Sequence, residues 1–179
     1  MATRAPLSLK ARAIGLLAQR EHSRAELRRK LLRIEQQQRQ RARLAVMQVD
    51  SESGGAAAER EGDEKDVAEA GAATVDALLD TLAAGGYLDE SRFVESRLHQ
   101  RAQRFGTQRI QQELAQHGLK LDAEQQASLR ETEMERAREV WKKRFGDEPS
   151  REATEQARQT RFLLARGFTP EVVRRLLRA

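Results

Sequence analysis

Apolar residues recur along this chain at helical spacing, in stretches that predict nine short helices. Leu9, Ala13, Leu16 and Leu17 stand at i, i+4, i+7 and i+8, one face of a first helix. Arg20-Glu21-His22 interrupts that face. Ser23-x-x-Glu26 then reads as a capping box opening a second helix, carried by Leu27, Leu31 and Ile34. The following run, Gln36 to Arg43, is polar all round, so any helix there extends into solvent. Residues 51–73 combine Ser, Gly, Ala and mixed acids with no period, and read as an acidic flexible linker. Thr74 is expected to cap a third helix with the stripe Val75, Leu78, Leu79 and Leu82, ended by Gly85-Gly86.

A fourth helix is predicted from Asp89–Ser91, with Phe93, Val94, Leu98, Ala102 and Phe105 on one side. Gly106-Thr107 breaks the chain before a fifth, with Ile110 and Leu114 at i, i+4. A sixth follows Asp122, with Ala123, Ala127 and Leu129. Met134, Ala137, Val140, Trp141 and Phe145 mark a seventh, stopped by Gly146 and Pro149. Ala153, Ala157, Thr160 and Leu164 mark an eighth, ending at Gly167. Thr169-Pro170-Glu171 starts the ninth, carried by Val172, Val173, Leu176 and Leu177, with proline at the first helical position.

The helix ends repeat. Leu114-x-x-x-Gly118-Leu119 matches Leu163-x-x-x-Gly167-Phe168, and Leu82-x-x-x-Gly86-Tyr87 carries the same punctuation. The pattern predicts three diverged units of roughly 40–50 residues, the range in which tandem repeats occur. The first would comprise 8–50 and 74–88, split by an insertion holding the linker 51–73; the second 89–131; the third 132–179. The expected fold is all-α, tandem three-helix repeats forming an elongated, curved molecule whose neighbours share cores.

Composition narrows the function. Without cysteine the 179-residue chain has no disulfide, thiolate metal site or cysteine nucleophile. No stretch approaches the ~20 apolar residues of a membrane span, and the N-terminus has no apolar signal core, so a cytoplasmic protein without membrane contact is expected. Lys and Arg total 33 against 28 acids, giving a net charge of +5. The charge is uneven: residues 1–43 carry +9, 51–73 carry −5 and 132–179 carry +4. A basic body with one acidic segment suits a polyanionic or acidic partner.

Catalytic chemistry is sparse. His22, His99 and His117 form no ligand set. His22 and Glu26 make a weak i, i+4 pair, and a cationic or hydrogen-bonding role at helix ends accounts better for His22 and His117. Gly54-Gly55 lacks the remainder of a phosphate loop. Glu133 and Glu135 fall on an exposed helical pattern at i, i+2, so they do not share a face. The chain is expected not to be an enzyme and to need no cofactor or metal.

The basic faces are the stronger signal. Arg97, Arg101 and Arg104 recur at i, i+4, i+7 as one stripe, and Arg109 follows in the next helix. Lys142-Lys143-Arg144 is the densest cluster, beside Trp141, and Arg161 and Arg166 come after it. Arg24 and Arg28 lie on the second helix. These eleven cations are the candidate partner-binding residues, suited to phosphates or to an acidic protein groove. The plainer alternative is a set of solvated helix faces. Trp141, Phe93, Phe105 and Phe162 fall in step with core positions and read as core.

Several segments, in order and spacing, resemble the RecX family. They are Ser8-Leu9-Lys10-Ala11-Arg12-Ala13 through Glu21 to Leu31, Val75-Asp76-Ala77-Leu78-Leu79-Asp80-Thr81-Leu82 through Gly86 to Phe93, Gly106-Thr107-Gln108-Arg109-Ile110-Gln111-Gln112-Glu113-Leu114, and Arg161-Phe162-Leu163-Leu164-Ala165-Arg166-Gly167-Phe168. The resemblance spans about residues 8–34 and 74–178. It implies tandem three-helix repeats and a role in DNA repair, recombination and the SOS response. That role is modulation, usually inhibition, of the RecA recombinase, by lying along the RecA–DNA filament and opposing its growth, strand exchange and co-protease activity. The expected partner is therefore the RecA filament on DNA, met by a monomer. A second reading is a helical protein that binds DNA directly and competes for single- or double-stranded DNA. The chain departs from the family's usual pattern in the 39 residues from Glu35 to Ala73, where the family usually joins the first repeat's second and third helices by a short turn.

Overall fold

The computed structural model describes residues 7–50, 61–146 and 152–178, and among these it contains nine helices and no strand. They are α1 (Leu9–Gln19), α2 (Arg24–Asp50), α3 (Glu61–Ala84), α4 (Glu90–Ala102), α5 (Thr107–Ala115), α6 (Ala123–Glu131), α7 (Glu133–Phe145), α8 (Ala153–Ala165) and α9 (Pro170–Arg178). The chain divides into two compact units, Met1–Glu90 and Ser91–Ala179.

The first unit holds α1 to α3. Ser8 caps α1, its hydroxyl accepting from the Ala11 N–H at 3.2 Å. Ser23 does the same for α2, accepting from the Glu26 N–H at 3.1 Å. The apolar faces meet in a core of Ala13, Leu27, Leu31, Val75, Leu79, Leu82 and Leu88, edged by Leu9, Ile14, Leu16 and Leu17. The insertion differs from expectation. α2 continues to Asp50, and α3 begins at Glu61, so residues 61–73 are helix instead of flexible linker; residues 51–60 lie outside the described residues. Alanine and glutamate are good helix formers even where they bury little. The added turns also lie against α2: a side chain on Gly71 would collide with those of Glu35 and Arg39, which form an i, i+4 ion pair there. Thr74 is thus interior to α3, its hydroxyl donating to the Ala70 carbonyl at 2.9 Å.

The second unit holds two three-helix groups, each with a core. Phe93, Val94, Ile110, Leu114, Leu121 and Leu129 make one. Ala137, Val140, Trp141, Leu163, Phe168, Val173 and Leu176 make the other, with the Trp141 indole N–H donating to Gln159 Oε1 at 3.0 Å. The repeated leucine–glycine punctuation is one structural device used three times. The N–H groups of Tyr87, Leu119 and Phe168 donate back to the carbonyls of Leu82, Leu114 and Leu163 at 2.9, 3.0 and 3.2 Å. Gly86, Gly118 and Gly167 take the positive φ this closure requires.

A polar clasp joins the two groups of the second unit. Glu133 is buried, contrary to its expected exposure. Its Oε1 accepts from the N–H of Thr107 at 3.1 Å and of Thr169 at 3.3 Å, and its Oε2 accepts from the Thr169 hydroxyl at 3.2 Å. One carboxylate therefore serves the starts of both α5 and α9, where helix dipoles favour negative charge. One turn on, Arg136 donates to the carbonyls of Ala102, Phe105 and Leu129 at 3.0, 2.8 and 2.7 Å, tying down the ends of α4 and α6. Burial lowers the Arg136 pKa and the Glu133 charge opposes that shift. Beside the clasp the backbones touch: the Gly106 N–H donates to the Arg166 carbonyl at 2.9 Å, and a Cβ on Gly106 would collide with the backbone of Gly167 and Phe168.

Candidate partner-binding surfaces

The eleven candidate cations fall into three settings. Arg24 and Arg28 meet carboxylates of their own unit. Arg24 pairs with Asp80 at 2.7 Å, and Arg28 forms a two-pronged pair with Asp76 at 2.6 and 2.8 Å. The Asp76 hydrogen bond pushes the Arg28 pKa up, and the same bond pulls the Asp76 carboxyl below its ordinary value. These two arginines help to hold α2 against α3, so their charges are partly spent within the chain.

Arg97, Arg101 and Arg109 converge between α4 and α5 on an open groove of about 280 Å³. Arg97 and Arg101 are one turn apart on α4; Arg109 comes from the first turn of α5. Buried Ile110 and Leu114 form part of its wall, and Glu113 and His117 complete the polar lining. The two groove guanidiniums of α4 lie over rings: Arg97 is 5.2 Å from the Phe93 centroid and Arg101 5.4 Å from that of Phe105. The His117 ring packs on Phe93 at 5.0 Å. Phe93 and Phe105 thus serve the core and also support the cations.

Arg104 does not share the α4 face. The helix ends at Ala102, and Arg104 sits exposed in the following turn, its carbonyl accepting from Arg166 at 3.1 Å. Arg166 lies between two rings, 4.7 Å from the Phe162 centroid and 5.8 Å from that of Phe105. Lys142, Lys143 and Arg144 are exposed in the last turn of α7, where cations complement the helix dipole, and Arg161 is exposed on α8. Trp141 beside them is buried and faces the core.

His22 belongs to a different cluster, at the start of α2. It is buried, with Nδ1 3.2 Å from Glu26 Oε2, and Glu26 also pairs with Arg20 and with Lys30. Desolvation holds the His22 pKa below its ordinary value, against the attraction of Glu26. Desolvation alone would raise Glu26, but the Arg20 hydrogen bond and the surrounding positive charge outweigh it and bring its pKa to about 2. This is a structural ion cluster at a helix start. Among the described residues no group of His, Cys, Asp and Glu could hold a metal ion, and no helix is long and apolar enough to cross a membrane.

Sequence reasoning named the three groove arginines, gave His117 a helix-end role and Glu133 an exposed place, and did not single out Glu113 or Arg136. The i, i+4 spacing of Arg109 and Glu113 was the one local signal of the groove's acid.

Comparison with known proteins agrees with the repeat pattern. A family model described as RecX, second three-helix domain, matches residues 89–127, and one described as RecX, third three-helix domain, matches residues 131–177. The chain is 45% identical to the "Regulatory protein RecX" of Leptothrix cholodnii, over 99% of its own length and 93% of that relative. It is 43% identical to the protein of that name from Ralstonia nicotianae, over 97% of its length and 89% of the relative. Against that from Pseudomonas putida it is 36% identical, over 96% of its length and 90% of the relative.

Proposed function

Because the chain belongs to the RecX family of regulatory proteins, we propose that it regulates the RecA recombinase. It binds the RecA–DNA filament and opposes its growth, strand exchange and co-protease activity, as a cytoplasmic monomer with no catalytic activity of its own. The observation that supports a docking role is the disposition of cations on the second unit. Arg97, Arg101 and Arg109 line an open groove, and Lys142, Lys143, Arg144 and Arg161 are exposed on α7 and α8. Arginine offers planar, bidentate pairing that suits an acidic protein surface. Direct DNA binding is the second reading, because the same cations suit phosphates.

The test is RecA's ATP hydrolysis on single-stranded DNA with this protein added, beside its affinity for bare DNA, across salt. Arg97→Glu/Arg101→Glu and Lys142→Glu/Lys143→Glu are expected to lose inhibition more than DNA affinity. If DNA competition is the mechanism, affinity falls in step with inhibition, and the salt slope drops by about 0.7–0.9 for each phosphate no longer neutralised. Nucleotide turnover by the protein alone, or no inhibition by the native chain, would overturn the regulator reading.

A further inference from the structure

We propose that the groove between α4 and α5 receives a carboxylate side chain from an acidic protein segment, and that Glu113 occupies the same arginines as an internal competitor. The proposal rests on the reading of the chain as a regulator that docks on a protein.

Three guanidiniums face one small groove, and a single carboxylate answers them. Glu113 Oε2 lies 3.0 Å from Arg101 Nε, and its Oε1 lies 3.6 Å from Arg109 Nε. The closer approach is poorly aimed. The Arg101 Nε–H is buried yet makes no aligned hydrogen bond, so Glu113 holds it by charge more than by direction. Two of the lining arginines therefore share one carboxylate at short but imperfect geometry, while Arg97 rests on Phe93. Mutual repulsion among three cations favours a second anion there. The rings of Phe93 and Phe105 hold the α4 guanidiniums in place, which lowers the ordering cost of forming new bidentate pairs.

Size and sign point to a protein carboxylate. A groove of about 280 Å³ accommodates a side chain or two. A nucleic-acid strand gains affinity from a row of successive phosphates, and Glu113 puts a negative charge in the middle of the row these arginines would form. A carboxylate on a flexible acidic segment can instead take over the place that Glu113 vacates, and Glu113 turns outward on its own side-chain torsions. The cost of displacing it lowers the affinity of the native groove and rejects weak anions.

The experiment titrates the full chain with a fluorescent oligoglutamate peptide and, separately, with a short oligothymidylate. Glu113→Gln is expected to tighten peptide binding by about three- to tenfold while changing thymidylate affinity less than about twofold. Arg101→Gln weakens peptide binding by about tenfold, and Arg101→Gln/Glu113→Gln loses most of the gain. Peptide affinity that is unchanged or weaker in a Glu113→Gln protein with a native melting curve overturns the proposal. So does an equal gain for thymidylate, which assigns the groove to phosphate. Should Glu113→Gln fail to fold, the exposed Arg109→Gln provides the test: a loss of about threefold in peptide affinity supports the proposal and no change overturns it. RecA ATP hydrolysis separates the two readings. If only the regulator reading fails, the native chain leaves RecA unaffected and the peptide responses stand. If only the groove fails, inhibition by the native chain stands and Glu113→Gln does not alter peptide binding.

Discussion

The first and second units use the same helix endings but are held together differently. In the first, α2 and α3 bury a leucine-rich seam and tie its rim with surface pairs, Arg24 with Asp80 and Arg28 with Asp76. In the second, two separate cores are joined by charged groups hydrogen-bonded to backbone, the buried Glu133 and the half-buried Arg136. A surface pair adds little and is screened by salt. A buried charge with its hydrogen bonds in place costs much to disturb, because removing either partner strands the other. The difference shows how one repeat can serve two ends. Where one repeat closes on itself, apolar faces suffice. Where two repeats must meet in a fixed register, directional bonds to the backbone of four helices fix it.

The comparison predicts an order of damage. Glu133→Ala should be worst: it leaves the N–H groups of Thr107 and Thr169 without their carboxylate and removes the negative charge beside Arg136. A loss of about 3–5 kcal/mol is expected, read by chemical denaturation, with faster hydrogen exchange at those two amides. A smaller loss, comparable to the rim pairs of the first unit, would mean that the two units are held alike after all.

Gly106→Ala attacks the same joint through sterics. The added methyl meets the backbone of Gly167 and Phe168, which cannot swing aside as a side chain would. About 2–4 kcal/mol should be lost, with the melting transition of the second unit lowered and that of the first unmoved.

Acid should single out the first unit. The folded pKa of His22 lies below its ordinary 6.5, so its neutral form stabilises the fold above that value and the benefit fades as pH falls below it. Glu26, brought from 4.5 to about 2, contributes above 4.5 and loses that contribution as pH falls toward 2. Both signs agree, so acidification should weaken the first unit in two successive windows, followed by thermal melting across pH. Replacing His22 by Gln should remove the upper window alone.

The smallest effect belongs to the rim. Arg28→Ala is expected to leave the melting temperature nearly unchanged, with whatever change occurs vanishing at high salt. A large, salt-insensitive loss would place Arg28 among the residues that hold the first unit as firmly as Glu133 holds the second.

Helix ends were legible in the sequence because each is a local event. Thr169-Pro170-Glu171 starts α9, and the glycines at 86, 118 and 167 close three helices alike. The helix over 61–73 was not legible, since its period is weak and residues 65–73 bury little; it forms on good helix formers, with Gly71 lying beside α2. Glu133 escaped for another reason. A charged residue can be buried only where partners await it, and those partners lie 26 residues before it and 36 after it. Arg97 and Arg101 showed in the spacing, whereas the acid that answers Arg101 comes from another helix. The ion pairs of Arg24 and Arg28 were not legible because their acids, Asp80 and Asp76, stand beyond the insertion.

The clasp also sets an order of assembly during synthesis. A nascent chain emerges N-terminus first and domains fold as they become complete. The first unit has all of its core once α3 and Leu88 have left the ribosome. The second cannot follow helix by helix. When α4, α5 and α6 are already made, the Thr107 amide and the carbonyls of Ala102, Phe105 and Leu129 still wait for Glu133 and Arg136. Gly106 waits longer still, for the Arg166 carbonyl near the far end of the chain. A ribosome stalled shortly after α6 would therefore carry a finished first unit and an unfinished second one, open to chaperones and proteases, so that α7 to α9 decide whether the rest of the cationic surface survives.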